Sequence, residues 1–153
     1  MSGSGPLADT FVIAGCSRSK ASTSLPLPAL ELYQGGIAPA LCARLAGHDE
    51  LLGRVMFLSA RHGLIGASQP LLPYDHVLTE ERARALRPQV RTVLRRRLDG
   101  RSGQALLLVT AEPAYLSLMA DVLADPDRPR IRWITDPRGW DDTAAVLDEW
   151  NWP

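Results

Sequence analysis

Two short stretches of this chain concentrate side chains able to hold a small polar substrate and move its protons. The first, Cys16-Ser17-Arg18-Ser19-Lys20, offers a thiol, two hydroxyls, a guanidinium and the only lysine of the sequence. Backbone N–H groups in a short turn, together with Ser17, Ser19 and the Lys20 ammonium, suit a phosphate or a carboxylate. The glycine spacing of a P-loop is absent. Cys16 is either a nucleophile whose thiolate Arg18 and Lys20 favour, or a small packing residue closing a strand. Tyr33, just ahead of Gly35-Gly36, either turns its ring into the same mouth or packs inside.

The second stretch is Leu58-Ser59-Ala60-Arg61-His62-Gly63-Leu64-Ile65, followed by Pro73-Tyr74-Asp75-His76. Asp75 and His62 are the candidate catalytic pair. A histidine titrates near neutrality, and an aspartate can orient an attacking water or stabilise a developing cation. Arg61 can grip an anionic group with two parallel hydrogen bonds, and Tyr74 offers a base both an aromatic face and a hydroxyl. Ser59 and Gly63 complete the candidate binding set. Each residue also has an ordinary reading: a histidine beside a glycine often bonds to backbone, and Pro-Tyr-Asp often forms a turn. Their concentration in one long connection is what groups them. Leu64, Ile65, Leu71 and Leu72 predict an ordered connection, since such residues need something to cover. Nothing in the sequence calls for a metal or another cofactor; Cys16 and Cys42 alone cannot build a structural zinc site.

The elements that must position these residues follow from hydrophobic patterning. Continuous apolar runs predict buried strands at 10–15, 54–59 and 105–110, with a shorter, more polar fourth at 131–135. Helical patterns occupy 37–45, 79–98, 112–123 and 141–150, and Pro88 should kink or divide the second. The alternation predicts a single three-layer α/β domain: a mostly parallel four-stranded central sheet with helices on both faces. Residues 1–9 read as a flexible lead-in and 10–153 as the domain. Ligands of such sheets bind outside the carboxyl ends of the strands, which directs attention to both stretches.

Composition narrows the classes further. An apolar fraction of 46% and zero formal net charge describe an ordinary globular protein with no global attraction to nucleic acid. No apolar run is long enough for a membrane span and no signal pattern opens the chain, so a cytoplasmic location is expected. Charge is nevertheless segregated: eight arginines fall between Arg82 and Arg101, and eight acids between Asp121 and Glu149. At about 100° per residue, Arg84, Arg87, Arg91 and Arg95 share one face within about 80°. That face suits a phosphate backbone, or else pairs with the C-terminal acids. The late Trp133, Trp140, Trp150 and Trp152 suit packing of the last helix better than base stacking.

Taken together, Cys-Ser-x-Ser-Lys, Glu-Leu-Tyr, Leu-Ser-Ala-x-His-Gly-Leu and Pro-Tyr-Asp resemble the motifs of a family of small bacterial domains of unknown function. That family is similar to the peroxide-stress YaaA proteins and to a domain of archaeosine synthases. The resemblance spans about residues 11 to 110. It implies a fold related to uracil-DNA glycosylases and an association with nucleobases, modified nucleosides or DNA. The expectation is thus an enzyme on a nucleotide, nucleoside or nucleobase that cleaves or exchanges an N-glycosidic bond. In it the Ser17/Ser19/Lys20 loop and Arg61 hold the polar part, Tyr33 or Tyr74 stacks on the base, and Asp75 or His62 manages water or proton. The alternative is a DNA- or RNA-binding module using the arginine helix.

Overall fold

A computed structural model describes residues 6–153. Positions 1–5 of the expected lead-in lie outside the described residues, and Pro6–Asp9 form a turn of 3-10 helix. The chain then runs through β1 (Thr10–Gly15), β2 (Leu27–Pro28), α1 (Ala29–Leu32), α2 (Ala38–Arg44), β3 (Val55–Ser59) and β4 (Gly63–Gly66). It continues with β5 (Pro70–Leu71), α3 (Glu80–Leu98), β6 (Leu106–Thr110), α4 (Pro113–Leu116), α5 (Ala120–Leu123), β7 (Arg130–Ile134) and α6 (Trp140–Glu149).

The central sheet has the order β4-β3-β1-β6-β7. Strands β3, β1, β6 and β7 are parallel, and β4 lies antiparallel against β3. The architecture is the expected α/β one, but the sheet has five strands, not four. The fifth comes from Gly63–Gly66, inside the stretch read as a connection. Four residues bounded by glycines carry too little pattern to show as a strand. Ala60–His62 turn the chain back, so the second candidate stretch is a hairpin. A separate two-stranded patch, β2 with β5, ties the segment after β1 to the segment after β4.

Strand side chains alternate between two cores. Val12, Ala14, Val55, Phe57 and Leu108 face α1, α2 and α6. Phe11, Ile13, Met56, Leu58, Leu107 and Val109 face α3 and the segment carrying Leu118, Met119 and Val122. Three layers result. Trp150 and Trp152 are buried in the first core, and the Trp152 indole N–H donates to Thr10 Oγ1 at 2.8 Å.

Helix α3 starts where Thr79 Oγ1 accepts from the Arg82 N–H at 3.1 Å, with Glu80 and Glu81 in its first turn. It is not divided at Pro88 but runs unbroken to Leu98. The carbonyl that Pro88 cannot reach belongs to Arg84; both residues are exposed, so water can satisfy it. Leu86, Val90, Leu94 and Leu98 bury the opposite face and hold the helix together. The pattern read as one helix over 112–123 is in fact broken into α4, a 3-10 turn at Ser117–Met119, and α5. There the Ser117 hydroxyl bonds the Ala114 carbonyl at 2.6 Å, competing with the regular ladder. Among the described residues, no helix is long and apolar enough to cross a membrane.

The topology fixes where a ligand can sit. The chain leaves β1 for β3 on one side, then returns over the opposite face to β6 on the other. The connections at the carboxyl ends of β1 and β6 therefore diverge, opening a crevice at the reversal of strand order.

Candidate functional site

The first loop is anchored at both ends. Cys16 N–H donates to Leu58 O at 2.9 Å, prolonging the sheet, while Ala21 N–H donates to Leu32 O and Gln34 N–H to Ser19 O, both at 2.8 Å. The Ser17 hydroxyl donates to Ser19 O at 2.6 Å and accepts from Gly35 N–H at 3.1 Å. Ser17 is thus committed to shaping the loop. A side chain at Gly35 would place its Cβ 3.1 Å from that of Ser17, a tight approach that glycine relieves.

Behind the loop runs a chain of hydroxyls. Ser59 is fully buried, and its Oγ accepts from the N–H groups of Arg61 at 3.2 Å and His62 at 3.0 Å. Both lone pairs are then used, so Ser59 donates its proton to Tyr74, whose oxygen is 2.8 Å away. Tyr33 is also buried, its ring tilted against Phe57 with centroids 5.0 Å apart. Its hydroxyl lies against that of Tyr74, with the Ser59 hydroxyl also within reach. A buried O–H must be satisfied, so Tyr33 donates and Tyr74 accepts a second time. The proton of Tyr74 itself then faces the Cys16 sulfur and the crevice beside it. Burial pushes the Tyr74 phenol up to about 12, with the neighbouring Cys16 adding to the rise. It stays protonated near neutrality. Lys20 Nζ stands over the Tyr74 ring, 4.4 Å from its centroid.

Two adjoining hollows occupy the crevice. One, of about 290 Å³, is lined by Ser17, Arg18, Ser19, Gly36, Pro137 and Arg138 among others. The second, of about 170 Å³, takes in Lys20, Tyr74, Asp75, His76, Val77 and Leu78. Cys16, Ser17, Arg18, Glu112 and Tyr115 line both, so the two adjoin.

The two stretches far apart in sequence therefore meet, through Cys16 to Lys20 on one side and Tyr74 with Asp75 on the other. Other candidates lie elsewhere. Arg61 and His62 line a separate open hollow with Ile65, Leu71 and Pro73. His62 still touches the crevice indirectly, its ring edge-on to Tyr74 at 5.1 Å. Burial lowers the His62 imidazole below its ordinary 6.5, helped by the charges of Arg61 and Arg82. The Tyr33 ring is core and cannot stack on a base. Gly63, with φ of 76°, lies beneath Gln89, whose side chain bonds Leu64 N–H at 3.0 Å; a Cβ there would overlap the amide. Ser59 acts on Tyr74 from behind.

Sequence reasoning missed Glu112 and Tyr115, which follow β6 and line both hollows. The Cys16 thiol donates to the Tyr115 hydroxyl at 3.5 Å. Burial, then Cys16, raises the Tyr115 phenol above its ordinary range. The rule of strand-order reversal would have pointed to them, had the third strand's loop been searched like the first two.

The arginine face of α3 is largely engaged. Arg91 Nε and Nη2 grip Asp125 at 2.9–3.1 Å and hold its carboxyl below the ordinary range. Arg95 lies 3.6 Å from Asp125 and 3.5 Å from Asp127, and Arg87 Nε donates to Ser117 O at 3.1 Å. Arg84 is exposed. Comparison with protein-family models, with curated proteins and with solved structures finds no match to this chain.

Proposed function

We propose that this protein processes a nucleotide, nucleoside or nucleobase, cleaving or exchanging an N-glycosidic bond in the paired hollows. The observation that carries the reading is the crevice itself. It joins an aromatic phenol with a proton to give, two carboxylates (Asp75 and Glu112) and a cation-bearing loop at the place where open α/β sheets take ligands. The likeness of the loop motifs to a glycosylase-related family directs the choice of substrate.

Cleaving a C–N glycosidic bond builds positive charge on the sugar and negative charge on the departing base. A carboxylate beside the sugar stabilises the first and accepts the proton of the incoming water. Either Asp75 or Glu112 can serve. The Tyr74 O–H, held by two donors behind it, offers its hydrogen bond to the base as charge develops there. His62 supports that role from the far side, as a positioning residue against the ring.

A thermal-shift screen of bases, nucleosides and nucleotides tests binding, because a ligand of the folded state alone raises the melting temperature. Chromatographic detection of free base tests chemistry. Asp75→Asn or Glu112→Gln, both at exposed positions, is expected to lower base release by about 100-fold or more while leaving the melting temperature in place. No shift across the whole panel overturns the reading. Nucleic-acid binding by α3 has less support, because Arg87, Arg91 and Arg95 are already engaged. Charge reversal at Arg87 and Arg91 would leave turnover intact under the enzymatic reading.

A further inference from the structure

We infer that the larger hollow is a phosphate chamber and that the substrate is a nucleoside 5′-monophosphate; this rests on the nucleotide-processing reading above. The two hollows differ in charge. The larger one has two arginines, Arg18 and Arg138, among its lining residues, against the single acidic residue Glu112, all three exposed. In the smaller one Arg18 and Lys20 face Asp75 and Glu112, and the Lys20 ammonium already lies over the Tyr74 ring. An anion therefore gains more in the larger hollow, and an uncharged heterocycle more in the smaller, beside the tyrosine.

Donor supply points the same way. Among the described residues, the guanidiniums of Arg18 and Arg138 have no ion-pair or hydrogen-bond partner, in contrast to those of Arg87, Arg91 and Arg95. The backbone N–H groups of Ser17, Arg18 and Ser19 likewise have no acceptor among the described residues. The Ser17 hydroxyl donates inward and holds the loop in that shape, while the Ser19 hydroxyl is exposed. Gly15, Gly35 and Gly36 are also among its lining residues. Forked guanidiniums and spare amides match a phosphate dianion. Because Cys16, Ser17, Arg18, Glu112 and Tyr115 line both hollows, one molecule can reach from the first into the second. Its phosphate, sugar and base then follow each other through the crevice, with the glycosidic bond near Glu112 and Tyr115.

Calorimetric titration of the full chain with matched pairs (adenosine and AMP, guanosine and GMP, cytidine and CMP, uridine and UMP), and with ribose 5-phosphate and inorganic phosphate, tests this. For the base that is accepted, the monophosphate is expected to bind about tenfold or more tightly than its nucleoside. In Arg138→Ala that ratio falls toward one, and Arg138→Lys retains part of it. Equal affinity of nucleoside and monophosphate, or a ratio untouched by Arg138→Ala, overturns the phosphate chamber and leaves the nucleoside reading standing. Binding of ribose 5-phosphate or phosphate that depends on Arg138, with no base or nucleoside accepted, does the reverse: the chamber stands and the nucleotide substrate falls. Silence from every compound removes both.

Discussion

The proton left over on Tyr74 is a matter of counting lone pairs, and it makes the phenols unequal. Tyr74→Phe removes the shared acceptor of Ser59 and Tyr33, both buried; Ser59 can turn to the Tyr33 oxygen but the Tyr33 proton is left unmet, at an expected cost of about 1–3 kcal/mol. Tyr33→Phe removes one donor and leaves Ser59 served, so it should cost less, about 1 kcal/mol. Urea unfolding of the two variants measures the difference, and the opposite order would reverse the assignment of donors. His62 supplies a pH prediction. Its folded value lies below the ordinary 6.5, so the unfolded chain takes up the proton more readily. The contribution is full above 6.5 and lost as pH falls through the depressed folded value. His62→Gln should flatten the decline of stability on the acid side, as thermal melts between neutral and mildly acidic pH would show. Residue types in the two stretches were readable from the sequence, but their direction was not. Tyr33 and Ser59 look like surface chemistry in one dimension and are interior in three, because Phe57 and the β1–β3 pairing enclose them.

Elements followed their patterns where a long apolar period decided the matter. Strand β1 matches its apolar run, while β3, β6 and β7 and the helices α2, α3 and α6 fall within a residue of their patterns. The pattern failed for short pieces. Strand β4 is defined by what it pairs with, Met56 to Ser59, and by the Gln89 amide bonded to Leu64, neither of which is local. Pro88 was expected to kink or divide the helix; it does not divide it, because burial of Leu86, Val90 and Leu94 outweighs one missing hydrogen bond. That bond is still missing. Pro88→Ala is therefore expected to stabilise the protein by about 1–3 kcal/mol, measurable by denaturant unfolding. A destabilised variant would show that the proline shapes the helix to the sheet.

At the level of the whole molecule, the order of strands decides which residues become neighbours. Alternation of patterns is enough to foresee a parallel sheet with helices on both sides. It is not enough to show that β6 lies beside β1, and that adjacency is what brings Glu112 and Tyr115 to Cys16. The same adjacency shapes how the chain can be made. Strand β1 pairs with Val55–Leu58 on one side and with Leu106–Thr110 on the other, and Thr10 also receives the indole of Trp152. During synthesis the first strand emerges long before either of its edges can be covered. Until the ribosome has passed β6, an apolar ribbon stands open to other nascent chains. Completion of the sheet therefore waits on β6, and helpers that shield such ribbons would find this one early.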